Sequence, residues 1–128
     1  MPGRVPDLTQ FPWIEVSVIS EVEIASVGAH LVGHRRSSQR YRWLNRQVDR
    51  PEIEAVILGK RVSGRVVIED ANAVKCATDV GVSVVNVAGL LIELERERHI
   101  ADAKACATAI MATGYYSKEL RWLSWRRS

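Results

Sequence analysis

Carboxylates gather at two points of the chain that a fold could bring together. Asp49, Glu52 and Glu54 open a stretch with helical signals, Asp-Arg-Pro-Glu-Ile-Glu-Ala-Val, and Glu69-Asp70 close a β-branched run, Arg65-Val66-Val67-Ile68. Acids at the carboxyl end of a buried strand and in the first turn of a neighbouring helix can face one cleft. Oxygen donors of that kind suit hard divalent ions such as Mg²⁺ or Mn²⁺. Each acid also has an ordinary structural use. Asp49 and Glu52 have the spacing of a capping box, Asp70 is placed to cap a helix beginning at Ala71, and Glu54 fits a solvated helical face.

A second group of residues could bind nucleic acid. From His34 to Arg50 the chain holds Arg35, Arg36, Arg40, Arg42, Arg46 and Arg50, interleaved with Tyr41 and Trp43 and with no acid before Asp49. Read as a helix, the segment sets Arg42, Arg46 and Arg50 on one side, where like charges repel unless an anion covers them. Arg40, Arg42 and Arg46 would then grip phosphates while Trp43 stacks on unpaired bases; a solvated linker is the other reading. The basic tail Arg121-Trp122-Leu123-Ser124-Trp125-Arg126-Arg127 repeats the theme, with Trp122 and Trp125 expected to pack on the domain or a partner subunit. His30 and His34 stand four apart but have no third ligand, and His99 reads as a terminal-turn residue. Cys76 and Cys106 fall in helical apolar patterns and read as buried free thiols. No glycine grouping forms a phosphate-binding fingerprint.

These residues need elements to position them. With 128 residues, 47% hydrophobic and 26% charged, the chain suits one domain, 1–128, with a core of its own. The net charge of +3 admits nucleic acid without requiring it. The sequence contains no apolar run long enough for a membrane span and no signal-peptide core, so a cytoplasmic protein is expected. Trp13 to Ile19 alternates as a half-buried strand, and Ser20 with Glu23 resembles a helix start. Gly28 and Gly33 weaken any long helix there, leaving residues 20–48 as the part expected to be least ordered. After Asp49 the signals become regular. A helix runs to Val62, Val66 to Ile68 forms a strand, and Ala71 to Asp79 a helix. Val82 to Val85 forms a strand, and helices follow from Leu90, from Ala101 and from Lys118 behind Ser117. Helix alternating with strand argues for an α/β layer structure with parallel strands.

Read in order, Asp49-x-x-Glu52-x-Glu54-Ala55-Val56 and Val67-Ile68-Glu69-Asp70-x-x-Ala73 resemble the PIN-domain proteins, in the branch called DUF3368. The tail is similar too, in Gly81 to Leu91, then Ile100, then Gly114-Tyr115-Tyr116-Ser117-x-x-Leu120. The resemblance covers about 49–120. Pro51 stands where the family prefers glycine, Glu69 replaces the first aspartate of a pair, and Val74 replaces an arginine. No early strand ending in aspartate is found, so the chain reads as a PIN-like domain without its N-terminal third. The resemblance implies a truncated three-layer α/β/α fold with a short parallel sheet, whose apolar edge a homo-oligomer or protein partner would cover. It implies a metal-dependent endoribonuclease of toxin–antitoxin type with Mg²⁺ or Mn²⁺. Glu52 and Asp70 would be the catalytic metal ligands, Glu69 a further metal-site residue, Glu54 a supporting group, and RNA and an antitoxin the partners. The alternative is a non-catalytic remnant that binds RNA or protein through its basic segment.

Overall fold

The computed structural model describes residues 7, 10–35 and 38–126, without the side chains of residues 33–35, 38 and 39. Residues 1–6, 8–9, 36–37 and 127–128 lie outside the described residues, and with them most of the expected irregular lead-in, Arg36 and Arg127.

Trp13 to Ile19 does not form the expected strand. Its backbone is irregular, Trp13, Val16 and Val18 lie open to solvent, and only Ile19 is buried. Alternation alone makes a strand only where a neighbour accepts its hydrogen bonds. The first helix, α1 (Glu21–Ser26), begins with a reciprocal cap: Ser20 Oγ accepts from Glu23 N at 3.2 Å, and Glu23 Oε1 accepts from Ser20 N at 3.2 Å.

The arginine-rich stretch is no helix in its described part. Strands β1 (His30–Arg35), β2 (Ser38–Trp43) and β3 (Arg46–Asp49) form an antiparallel meander in that order. Tyr41 pairs with Val48 and Trp43 with Arg46, across a tight turn in which Leu44 and Asn45 both take positive φ. Two consecutive left-handed residues match the twist of a hairpin, and asparagine tolerates the conformation. Tyr41, Trp43 and Val48 point into the core, whereas Arg40, Arg42 and Gln47 point out. His30 and His34 sit on β1, where four residues span about 13 Å rather than one helical turn.

The regular half follows. Helix α2 (Arg50–Val62) starts with Pro51 in its first turn and ends at Ser63 in the left-handed conformation. Strand β4 (Val66–Val67) pairs in parallel with β5 (Val84–Val85), joined through α3 (Ala71–Asp79). Helices α4 (Val87–Arg96), α5 (Ala103–Ala112) and α6 (Lys118–Trp125) complete the described chain. The result is an α/β fold with a short parallel sheet, to which the meander adds a second, antiparallel one.

Two groups of buried side chains hold these elements. Ile24, Trp43, Val48, Ile53, Val56, Val66, Ile68, Cys76 and Val82 tie α1, the meander, α2, α3 and the parallel strands together. Ala88, Leu91, Ala103, Ala107, Leu120 and Leu123 join α4, α5 and α6. Gly59 marks the tightest approach between α2 and the strands. A Cβ placed there would lie 2.4 Å from Val66 Cγ2 and 3.2 Å from Val82 Cγ1. Gly59→Ala gains helix propensity yet must displace both valines, so it is expected to lower stability by about 1–3 kcal/mol in urea denaturation. Among the described residues, no helix is long and apolar enough to cross a membrane.

Candidate active site

The carboxyl ends of β4 and β5 face the amino ends of α3 and α4, and the acids divide between two sides of that junction. Asp70 stands at the amino end of α3, where its Oδ2 accepts from Ala73 N at 2.9 Å. This cap orients the carboxylate and leaves other lone pairs unused. Asp49 precedes α2 but makes no capping bond, contrary to the capping-box reading, because its carboxylate turns to Arg40 Nε at 3.7 Å. Glu54 pairs with Arg50 Nε at 3.5 Å one helical turn back.

Glu52 is the unusual member. Its side chain is half-buried, yet its Oε2 is fully buried and has no hydrogen-bond partner. Burial pushes its carboxyl above the usual range, and the nearby charges of Asp49 and Asp70 push the same way, against a bond from its own backbone. A buried carboxylate oxygen facing two further acids is a poor structural arrangement unless something positive enters. The fold therefore brings Glu52, Asp70 and Asp49 into one electrostatic neighbourhood.

Glu69 is turned to the other side. Its Oε1 accepts from Val87 N at 2.7 Å, binding the end of β4 to the start of α4. It also faces Tyr115, whose phenol is pushed up by burial first and by the Glu69 charge and hydrogen bond next. Here a cleft of about 390 Å³ is lined by Ile68, Glu69, Val74, Val84, Val85, Asn86 and Glu119. A second, more apolar cleft of about 410 Å³ shares Asn86 and Glu119 with it and adds Ala88, Gly89, Ile92, Lys118 and Trp122. Asn86 ends β5 and caps α4, its Oδ1 accepting from Gly89 N at 2.7 Å. The sequence reading missed Asn86, Tyr115 and Glu119; an asparagine after the β-branched run Val82 to Val85, where β4 ends in acids, was the available signal for the first.

The expected nucleic-acid residues need correction. Trp43 is wholly buried and cannot stack on a base, and Tyr41 is buried with its hydroxyl accepting from Arg50 Nη1 at 3.0 Å. Arg46 faces inward beside Trp43 and pairs with Asp79 at the end of α3 at 3.3 Å. Arg40 and Arg42 remain on the outer face, Arg40 engaged with Asp49 and Arg42 exposed. Cys76 Sγ donates to Trp43 O at 3.4 Å, which together with burial makes it a core thiol; Cys106 is half-buried and also free.

Oxygen ligands from acids on an α2 turn and at the end of a parallel strand suit a hard divalent ion. Among the described residues no three His, Cys, Asp or Glu side chains stand close enough to hold a metal between them. An ion held by Glu52 and Asp70 would have to keep most of its waters, and the orphaned Oε2 is the group it would complete. An α/β fold with acids at the carboxyl edge of a short parallel sheet defines a class of acidic-site domains. The family model for DUF3368, described as a PIN domain, matches residues 4–123, and the chain belongs to that family. The match includes the arginine-rich meander and begins well before residue 49, where the sequence resemblance starts. Neither the curated proteins nor the solved structures contain a match.

Proposed function

We propose that the protein is a metal-dependent endoribonuclease whose ion is held by Glu52 and Asp70. The observation that carries this reading is the buried, unpartnered Glu52 Oε2 in the field of Asp49 and Asp70. Bound there, Mg²⁺ or Mn²⁺ would lower the pKa of a water and neutralise charge growing on a phosphodiester. Glu52 supplies an oxygen already stripped of water. Asp70 supplies one whose direction the Ala73 N–H fixes. Arg40 keeps Asp49 turned aside, so that its negative charge acts on the site without a hydrogen bond to Glu52. A toxin-type role with an antitoxin as protein partner is part of this reading, as the sequence resemblance implies.

The test is cleavage of a mixed single-stranded RNA with and without Mn²⁺, with Asp70→Asn in parallel. Asparagine retains an oxygen that can cap α3, so folding should hold. Activity is expected to fall by at least about 100-fold, a ligand being worth no less than the supporting groups around it. Metal-independent cleavage, or cleavage unchanged in Asp70→Asn, overturns the reading. The alternative of RNA binding without catalysis through the basic segment now rests, among the described side chains, on Arg40 and Arg42, and predicts salt-sensitive binding that survives Asp70→Asn and weakens in Arg42→Ala.

A further inference from the structure

The carboxyl-terminal helix presents a surface that the acidic site does not use. Tyr115, Tyr116, Trp122 and Trp125 are all exposed, the two tryptophans by 58% and 67%. Neither tryptophan is packed into the core. Each carries a guanidinium instead: Arg121 stands 4.3 Å above the Trp125 ring, and Arg126 5.7 Å from that of Trp122. Residues three apart on a helix are neighbours, so the two rings share one side of α6.

Trp122 also forms part of the apolar cleft. That cleft has the volume of a small-ligand site, within the roughly 300–1,000 Å³ typical of them. Ala88, Gly89 and Ile92 give it an apolar floor against α4, and only Asn86, Lys118 and Glu119 bring polar groups to it. A flat apolar body with a few polar groups on its edge is the complement of that lining, and a nucleobase has that form. Aromatic rings beside arginines are also how single strands are held without reading a duplex. The cleft shares Asn86 and Glu119 with the one at Glu69, beside the carboxyl ends of β4 and β5.

We propose that this cleft binds an unpaired guanine of a single-stranded RNA, stacked on Trp122, with Glu119 accepting from its edge. Guanine alone among the four bases sets two donors, N1–H and N2–H, side by side for one carboxylate. Its O6 and N7 acceptors suit a lysine such as Lys118. The inference deepens the ribonuclease reading by naming a base preference, and it rests on that reading for RNA as the ligand.

The test measures binding without metal, in EDTA, so that it stands apart from cleavage. A short labelled uridine oligomer and the same oligomer with one guanosine are titrated with protein by fluorescence anisotropy. The guanosine oligomer is expected to bind at least about 5-fold more tightly, and Glu119→Gln to remove that preference, as loss of a paired edge contact requires. Trp122→Ala should weaken both oligomers by about 5- to 100-fold, the range of base–aromatic stacking, while Trp122→Phe keeps most of the affinity. Thermal unfolding of each variant shows that the fold is kept. Equal affinity for the two oligomers, or affinity indifferent to Trp122→Ala, overturns the proposal. So does a change in sedimentation by Trp122→Ala without a change in RNA binding, which would make this face an interface between copies. A guanosine preference in a protein that never cleaves RNA would instead overturn the ribonuclease reading and leave the base site standing.

Discussion

Glu52→Gln is expected to abolish Mn²⁺-dependent RNA cleavage and, at neutral pH, to raise the thermal midpoint by a few degrees. The two effects share one cause. Glu52 is held with a buried, unpartnered oxygen beside two other acids, so its charged form is unfavourable in the folded chain. Glutamine has almost the same shape without the charge. Removing a carboxylate that the fold strains to keep ionised stabilises, and removing a metal ligand inactivates, which is the usual opposition at a functional site. The activity loss should exceed about 100-fold, larger than for a supporting group.

The pH dependence has a definite sign. The folded pKa of Glu52 lies above its unfolded value, so the folded state binds more protons between the two. Stability from this group is therefore greatest below the ordinary glutamate range and is lost as pH rises through the folded pKa. Glu23 and Glu93 act in the opposite sense. The arginines facing them, Arg61 and Arg65, lower their carboxyls, so their contribution is present at neutral pH and lost as the solution becomes acid. The whole-protein profile mixes both kinds. The difference in stability between the wild type and Glu52→Gln, followed by urea denaturation from neutral to acid pH, isolates the first. That difference is expected to shrink as pH falls. A constant difference, or a glutamine variant that is less stable at neutral pH, would show that Glu52 has a structural partner after all.

Trp43→Ala is expected to lower stability by about 3–5 kcal/mol, the cost of emptying a large buried aromatic site. For a chain of this size that is a large part of the roughly 5–15 kcal/mol that hold a domain together. Trp43 is fully enclosed and belongs to the same core as Ile53, Val56 and Cys76, whose thiol bonds to its carbonyl. Its indole Nε1 is buried with no acceptor, an unusual state for a tryptophan. Trp43→Phe loses volume but also removes that unsatisfied N–H, so it should cost only about 1 kcal/mol. Urea unfolding of the two variants checks both figures. A residue serving as an exposed stacking platform would give a change within about 0.5 kcal/mol on truncation to alanine. That result would sink the placement of Trp43 in the core.

Trp43 also shows where the residue pattern was readable and misread. In Arg40-Tyr41-Arg42-Trp43 the charges alternate strictly with aromatics, a period of two, while on the return strand Val48 shares the inward face with Arg46. Spacing Arg42, Arg46 and Arg50 as a helix ignored the Leu44-Asn45 turn between them. The opposite error arose at Val16 and Val18, where alternation was present but no strand lay alongside to pair with it. Trp122 and Trp125 look in sequence like packing residues. Only the placement of Leu120 and Leu123 on the buried side of α6 leaves the tryptophans outside.

The sequence alone determined the second half of the molecule, because local rules agreed there. Pro51 and Ser63 bracket α2, and Asp70 and Ser117 cap their helices, whereas α4 begins at Val87 behind Asn86, before the Leu90 read from sequence, and Val67 of the first β-branched run lies exposed. It also placed the acids at the junction of strand and helix and carried the family resemblance. What it could not determine was how those acids share space. The charge of Asp70 reaches Glu52 across a strand end and a helix, whereas Glu69, next in the chain to Asp70, faces the opposite cleft with Asn86 and Tyr115. Neighbouring residues at a strand end point to opposite faces, and which face holds which partner depends on helices packed from elsewhere in the chain. Only the tertiary structure decided that one buried oxygen of Glu52 would be left without a partner.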